Sequence, residues 1–179
     1  MSASFGMEVV GLKDALRELN QLNPKLRRDI TKDYRKIVAP VIKVAKTKVP
    51  QAPPISGWGR KWTTKSGHQM TPWNGSRGDD FLKAKVSGKK PREWAGRTTN
   101  LAVFSVAWSG AVNTLYDLAG RRGSGDVERG AQMIRALEAR YGKASRVLWP
   151  AYEMNRDEVE RQTAVIVAIV LREVNRRLQ

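Results

Sequence analysis

The chain has no cysteine, one histidine (His68) and no apolar run that approaches about 18 residues. Each absence removes a class. Without thiols there is no disulfide framework, no cysteine nucleophile and no thiolate metal site. A single histidine cannot furnish a His-rich ligand set. The lack of a long apolar run argues against a membrane-spanning helix, and the start lacks the basic stretch followed by an apolar core that marks a secretory leader. The chain is therefore expected to be made and used in a cytosol, or packaged from one, without a membrane. Acidic residues are also scarce, 17 against 33 basic ones, giving a formal charge of +16 and a pI near 10.6. An acidic partner, usually nucleic acid, must then be weighed. The excess is uneven: −1 over residues 1–23, +7 over 24–48, +8 over 49–125 and +2 over 126–179.

What is present organises around residues 150–178, the longest amphipathic run. Proline at its first position suits a helix start, where the missing N–H costs nothing. Apolar residues recur at Met154, Val159, Ile166, Val167, Val170, Val174 and Leu178, with Arg156, Glu160, Arg161, Arg172, Glu173 and Arg176 opposite. Such a helix would be on the order of 43 Å long, more than the width of a compact domain of this size, so one end is expected to meet a neighbour.

Upstream, residues 5–10 suit an edge strand, and Leu12, Ala15, Leu16 and Leu19 a brief helix. The spacing of Leu26, Ile30, Tyr34, Ile37, Val38, Val41, Ile42 and Ala45 predicts a helix over 24–48. Pro40 removes the bond to the Lys36 carbonyl and should kink it. Residues 51–100 mix Gly, Pro, Lys and Arg with Trp58, Trp62, Trp73 and Trp94 and keep no sustained period, which predicts an extended loop or arm. Residues 81–87 can form a strand. Residues 101–108 make the best strand, apolar on both faces and hence expected under helices. Residues 111–118 are its expected antiparallel partner, with Val112, Leu115 and Leu118 facing the core. Asp126 can cap a helix through Val127, Ile134, Leu137 and Tyr141 that Gly142 ends. The expected fold is α+β, a small antiparallel sheet packed against long N-terminal and C-terminal helices with a Trp-rich basic arm, in one domain over 1–179.

Candidate chemistry is thin. The loop 120–125, Gly-Arg-Arg-Gly-Ser-Gly, lacks the Lys-Ser/Thr pair of a nucleotide cradle and is read as a surface turn. Asp79, Asp80 and Glu93, with Lys83 or Lys85, would suit a metal-dependent nuclease only if adjacent strands carried them; loop solvation is the simpler reading. His68 has no nucleophile or orienting acid at a recognisable spacing. The constellation with weight is the basic, aromatic middle: Arg60, Lys61, Trp62, Lys65, Lys83, Lys85, Lys89, Lys90, Arg92, Trp94 and Arg97. Tryptophans anchor in partner pockets or stack on bases, and cations neutralise phosphates. Partner docking through Trp58, Trp62, Trp73 and Trp94 ranks first, nucleic-acid contact through Arg60, Lys61, Lys89, Lys90 and Arg92 second and plain solvation third, because four tryptophans are costly to leave wet. The basic face of 24–48, with Arg27, Arg28, Lys32, Arg35, Lys36, Lys43 and Lys46, faces either DNA or water.

The order of these parts resembles the neck, or tail-completion, proteins of long-tailed bacteriophages. The residues that carry the likeness are GLKDALRELN (11–20), AKTKVP (45–50), YDLAG (116–120) and LWPAYEMNRDEVE (148–160), over roughly residues 8–50 and 101–179. Val49-Pro50 and Pro150-Ala151 are the sharpest. The resemblance implies a small α+β protomer of the head–tail joint, a virion protein assembled in the host cytoplasm into a homo-oligomeric ring, hexameric or dodecameric. It further implies head-completion, portal-side and tail-tube proteins as neighbours, non-specific contact with genomic DNA in the lumen, and no catalytic residue, metal or cofactor. The chain departs from the family pattern in the Trp-rich excursion after Val49-Pro50 and in a second insertion, 121–146. The alternative is a basic nucleic-acid-binding accessory protein, whose affinity would fall steeply with salt.

Overall fold

The computed structural model describes residues 2–7, 14–17, 23–65, 67, 69–75, 82–87, 92–94, 97–99, 103–121 and 130–178. Among these the chain is α+β, with the order β1 (Ser2–Met7), α1 (Pro24–Ile37), α2 (Ala39–Thr47), β2 (Trp62–Thr63), β3 (Gln69–Met70), β4 (Leu82–Val86), β5 (Arg92–Trp94), β6 (Arg97–Thr99), β7 (Phe104–Ser109), α3 (Ala111–Leu118), α4 (Ala131–Tyr141), α5 (Leu148–Glu153) and α6 (Arg156–Leu178). Residues 14–17 are also helical. The strands form one three-stranded sheet, in the order β1-β7-β4, and two small pairs, β2-β3 and β5-β6. Two compact units divide the chain: residues 1–4, 41–83 and 107–154 make the first, and residues 5–40, 84–106 and 155–179 the second.

In the second unit, Asn23 starts α1 by accepting the Leu26 N–H on its side-chain oxygen at 3.0 Å, with Pro24 in the first turn. Ile30 and Tyr34, one turn apart, are its buried face. The interruption expected at Pro40 falls two residues earlier, at Val38, whose N–H returns to the Tyr34 and Lys36 carbonyls. Pro40 then lies in the first turn of α2, where no N–H is missed. Helices α1 and α6 pack together, and the Tyr34 ring meets Phe104 of β7 at 4.9 Å. Ser87, just past β4, donates its N–H to the carbonyl of Val103, just before β7, at 2.8 Å, so those strands run antiparallel. Burial alternates along β4, leaving Lys83 and Lys85 exposed. Lysines of this kind discourage pairing with another chain's edge.

The long terminal helix is two helices. Met154 and Asn155 separate α5 from α6, and Val159 donates its N–H to the Asn155 carbonyl, so Asn155 begins a new helix. Asp157 and Glu158 in its first turn favour that start electrostatically. With 23 residues, α6 is about 35 Å long rather than 43 Å. Its buried stripe is Val159, Thr163, Ile166, Val170 and Val174, which adds Thr163 to the expected positions, while Met154 lies outside it.

Residues 111–118 are a helix rather than a strand, and the partners of β7 are β1 and β4. Gly110, at φ 107°, reverses the chain in a conformation that favours glycine, and its carbonyl accepts both the N–H and the hydroxyl of Thr114. Val112 and Tyr116, four apart, are buried, whereas Leu115 is exposed. Helix α4 begins at Ala131 and ends at Gly142 with Leu137 buried. Asp126 and Val127 lie outside the described residues.

Candidate functional site

The described residues between 50 and 75 belong to the first unit and are packed in it around two tryptophans. Trp58 and Trp73 are 8% and 7% exposed, and their rings stack at 6.1 Å and 29°. Trp73 is the organising residue. Its backbone N–H donates to the Trp58 carbonyl at 2.6 Å and its indole N–H to the Pro50 carbonyl at 3.0 Å. Its ring also meets Trp108 at 6.2 Å and Tyr116 at 5.3 Å, both edge-on, and Tyr116 continues the cluster to Tyr141 at 5.3 Å. The sequence predicts an extended loop or arm here, whereas around Trp58 and Trp73 the chain packs on its own unit. Trp58 and Trp73 are not free anchors, because their indoles already fill their own unit's interior.

Around this cluster the chain forms a surface pocket of about 380 Å³ lined by Ser56, Gly57, Trp58, Arg60, Lys61 and Trp62. Trp62, 38% exposed, sits on β2, where it pairs with Met70 of β3, and Thr63 pairs with Gln69. Trp58 is thus a buried wall and Trp62 a wettable one, with two exposed cations in the run between them. Among the described residues no carboxylate lies within ion-pair distance of Arg60 or Lys61. No Asp or Glu occurs anywhere between Tyr34 and Gly78.

Trp94 and Arg92 lie on β5, where Arg92 pairs with Thr99 and Trp94 with Arg97 of β6. Glu93 is on the same strand. Lys89, Lys90, Asp79, Asp80 and His68 lie outside the described residues, and among the described residues no group of three or more His, Cys, Asp or Glu could hold a metal. Arg27 is half-buried and partly engaged: its guanidinium donates to the Val86 carbonyl at 3.1 Å and to Thr31 Oγ1 at 2.8 Å, and burial lowers its pKa. Arg28, Lys32, Arg35 and Lys43 are exposed, and Lys36 pairs with Asp33 at 3.3 Å.

Sequence reasoning passed over a buried polar joint in the first unit. Asp117 of α3 accepts the Val147 N–H on its carboxylate at 2.7 Å. Arg146 donates from Nη1 to the Tyr116 and Ala119 carbonyls and from Nε to Gly142, capping the end of α3. Burial raises the Asp117 pKa, against the hydrogen bonds that lower it, and burial likewise lowers that of Arg146. Burial, with Tyr141 adding to it, pushes Tyr116 up to about 12. The signal was present in the sequence as a lone acid between apolar residues in the YDLAG segment. Among the described residues the Arg146 Nη2 is buried without a hydrogen-bond partner, while its Nε and Nη1 are satisfied by backbone carbonyls.

Also unanticipated is the girth of α6. Residues 163–171 carry no charge on any side, and beside the buried stripe Val165 and Ile169 are 55% and 45% exposed, with Leu171 exposed as well. Trp149 and Met154, in the first unit, are 51% and 72% exposed. No helix among the described residues is long and apolar enough to cross a membrane. Compared with known protein families, characterised proteins and solved structures, the chain matches none.

Proposed function

We propose that this chain is a structural subunit of a phage head–tail joint, working as a homo-oligomeric ring rather than as an enzyme. The observation that carries the reading is the uncharged belt of α6. A helix that is apolar all round is ordinarily covered all round, yet α6 leaves Ile169 and Val165 open, roughly 100° and 140° round the helix from the middle of its buried stripe. The flanks of the belt suit approach by an identical chain. Arg156–Glu160, Arg161–Glu158 and Arg176–Glu173 are ion-paired along the helix. Five arginines stand against four carboxylates over α6, a net of +1 on a chain of +16. A strongly cationic protein can meet its copy where like charge is least.

A closed ring needs two different, complementary patches on each subunit. The belt supplies one and the exposed Trp149 and Met154 supply the other. Placement at the head–tail joint, beside head-completion, portal-side and tail-tube proteins, follows from the resemblance of 8–50 and 101–179 to neck proteins. Electron microscopy of the purified chain tests the reading. Closed rings of one size are expected, lost in V165E/I169E; a protein that stays monomeric at every concentration reached would overturn it.

A further inference from the structure

We propose that the pocket between Trp58 and Trp62 takes one unpaired nucleotide of a single-stranded nucleic acid. The inference does not depend on ring assembly. It rests on shape, ring faces and charge brought together in one run of seven residues, Ser56 to Trp62.

The volume, about 380 Å³, is that of a small-ligand pocket. It suits one splayed-out base and its sugar, while a duplex keeps its bases stacked inward and would offer only phosphates. Trp58 is held rigid by its stack on Trp73, which is itself anchored by two hydrogen bonds. That fixes one aromatic wall before any ligand arrives, so little ordering cost falls on binding. Trp62 offers a partly exposed indole to the same pocket, and base–aromatic stacking tolerates any sequence because every base has a π face. Arg60 and Lys61 lie between the two tryptophans, exposed and without a carboxylate partner among the described residues, so their charge is available to backbone phosphates. Among the described residues that line the pocket there is no acidic group to accept from an exocyclic amine, and Ser56 contributes a hydroxyl. Recognition is therefore by stacking and charge, without a base code.

A small anion would use the cations and leave the Trp62 indole idle. An acidic peptide would do much the same, which makes it the proper competitor. The test is fluorescence anisotropy of the full chain with labelled short oligothymidylate, at about 50 and about 200 mM salt. Unlabelled duplex, oligouridylate, AMP and polyglutamate serve as competitors. The strand is expected to bind, oligouridylate to compete as well as DNA, and AMP and polyglutamate to compete only at far higher concentration. W62L should weaken strand binding at least about fivefold while W62F restores most of it. R60A/K61A should lower the slope of log affinity against log salt by about 1.4, at about 0.7 for each single-strand phosphate.

K83A/K85A removes the same charge from the exposed side of β4 and should leave the W62L effect intact. Circular dichroism confirms that each variant is folded; if W62L is not, R60A/K61A against K83A/K85A decides alone. The proposal is overturned if W62L binds the strand like the parent, if duplex or polyglutamate displaces it equally well, or if AMP does so at equal concentration. Equal losses in K83A/K85A and R60A/K61A would reduce the effect to bulk charge and overturn it too.

Discussion

Replacing Trp73 separates a packed segment around Trp58 and Trp73 from an extended loop or arm by a wide margin. The indole is 7% exposed, meets Trp58, Trp108 and Tyr116, and satisfies the Pro50 carbonyl. Truncating a buried tryptophan to alanine costs about 3–5 kcal/mol through lost burial and the cavity left behind. Leaving a carbonyl without its donor adds about 1–3 kcal/mol where water cannot reach it. Against a total stability of about 5–15 kcal/mol for a domain, Trp73→Ala should remove a large share of the first unit's stability or abolish its folding. Trp73→Phe keeps a ring in the cluster but has no indole N–H. It should lose about 1–3 kcal/mol, most of it the orphaned carbonyl. Trp62→Ala, at an exposed site, should stay within about 1 kcal/mol of the parent. Urea unfolding followed by circular dichroism and by tryptophan fluorescence reads the midpoint shift, with the slope against denaturant unchanged if the native fold is intact. Trp73→Ala melting within about 0.5 kcal/mol of the parent, the size of an ordinary surface change, would refute the reasoning.

Other consequences are equally open to measurement. A Cβ on Gly75 would lie 2.5 Å from the Gln51 Cα and from the Pro50 and Gln51 carbonyl oxygens, all backbone atoms, so Gly75→Ala should cost about 3 kcal/mol in the same urea assay, and a neutral result would place residues 50–75 wrongly. Tyr116, pushed up to about 12, holds its proton more tightly folded than unfolded, so its stabilisation is complete below about pH 10 and is lost as pH climbs from 10 to 12. Thermal melts across that range should fall more steeply for the parent than for Tyr116→Phe, and parallel curves would contradict the burial. Asp117 is also raised, so its contribution is greatest below the ordinary value of 3.8 and declines as pH rises through the higher folded value. The stability of the parent relative to Asp117→Asn should therefore fall on going from acid toward neutral pH, and a rise would show that the hydrogen bonds outweigh desolvation.

Much of the fold was legible wherever a period or a local stop signal governed it. Ile30 and Tyr34 mark the buried face of α1, Gly142 ends α4, and the doubly apolar run from Val103 to Trp108 is buried along almost its whole length. The misreadings share a physical cause, a local feature outweighed by a turn or by distant packing. Val112, Leu115 and Leu118 look like an available strand face, but the left-handed Gly110 and the Thr114 hydroxyl start a helix whose buried side is Val112 and Tyr116. The continuous stripe before Val159 hides the Asn155-x-Asp-Glu helix start, because Met154 continues the apolar pattern through the break. Residues 51–75 have no period because their order comes from two-residue strands and from rings that meet across Trp58, Trp73, Trp108 and Tyr116, contacts far apart in sequence. Four of the nine residues named from sequence as partner or nucleic-acid contacts, Trp58, Arg60, Lys61 and Trp62, do line one pocket. The bracing of that pocket by Trp73 was not visible in composition.

Sedimentation velocity of the parent beside V165E/I169E bears most directly on the claim that the belt of α6 is an assembly surface. The two positions are exposed and lie outside the buried stripe of α6, so the charge pair should leave the fold unchanged. The parent should sediment as a discrete oligomer and the variant, folded by circular dichroism, as a monomer. Identical sedimentation of the two, whether both monomeric or both assembled, would contradict the account.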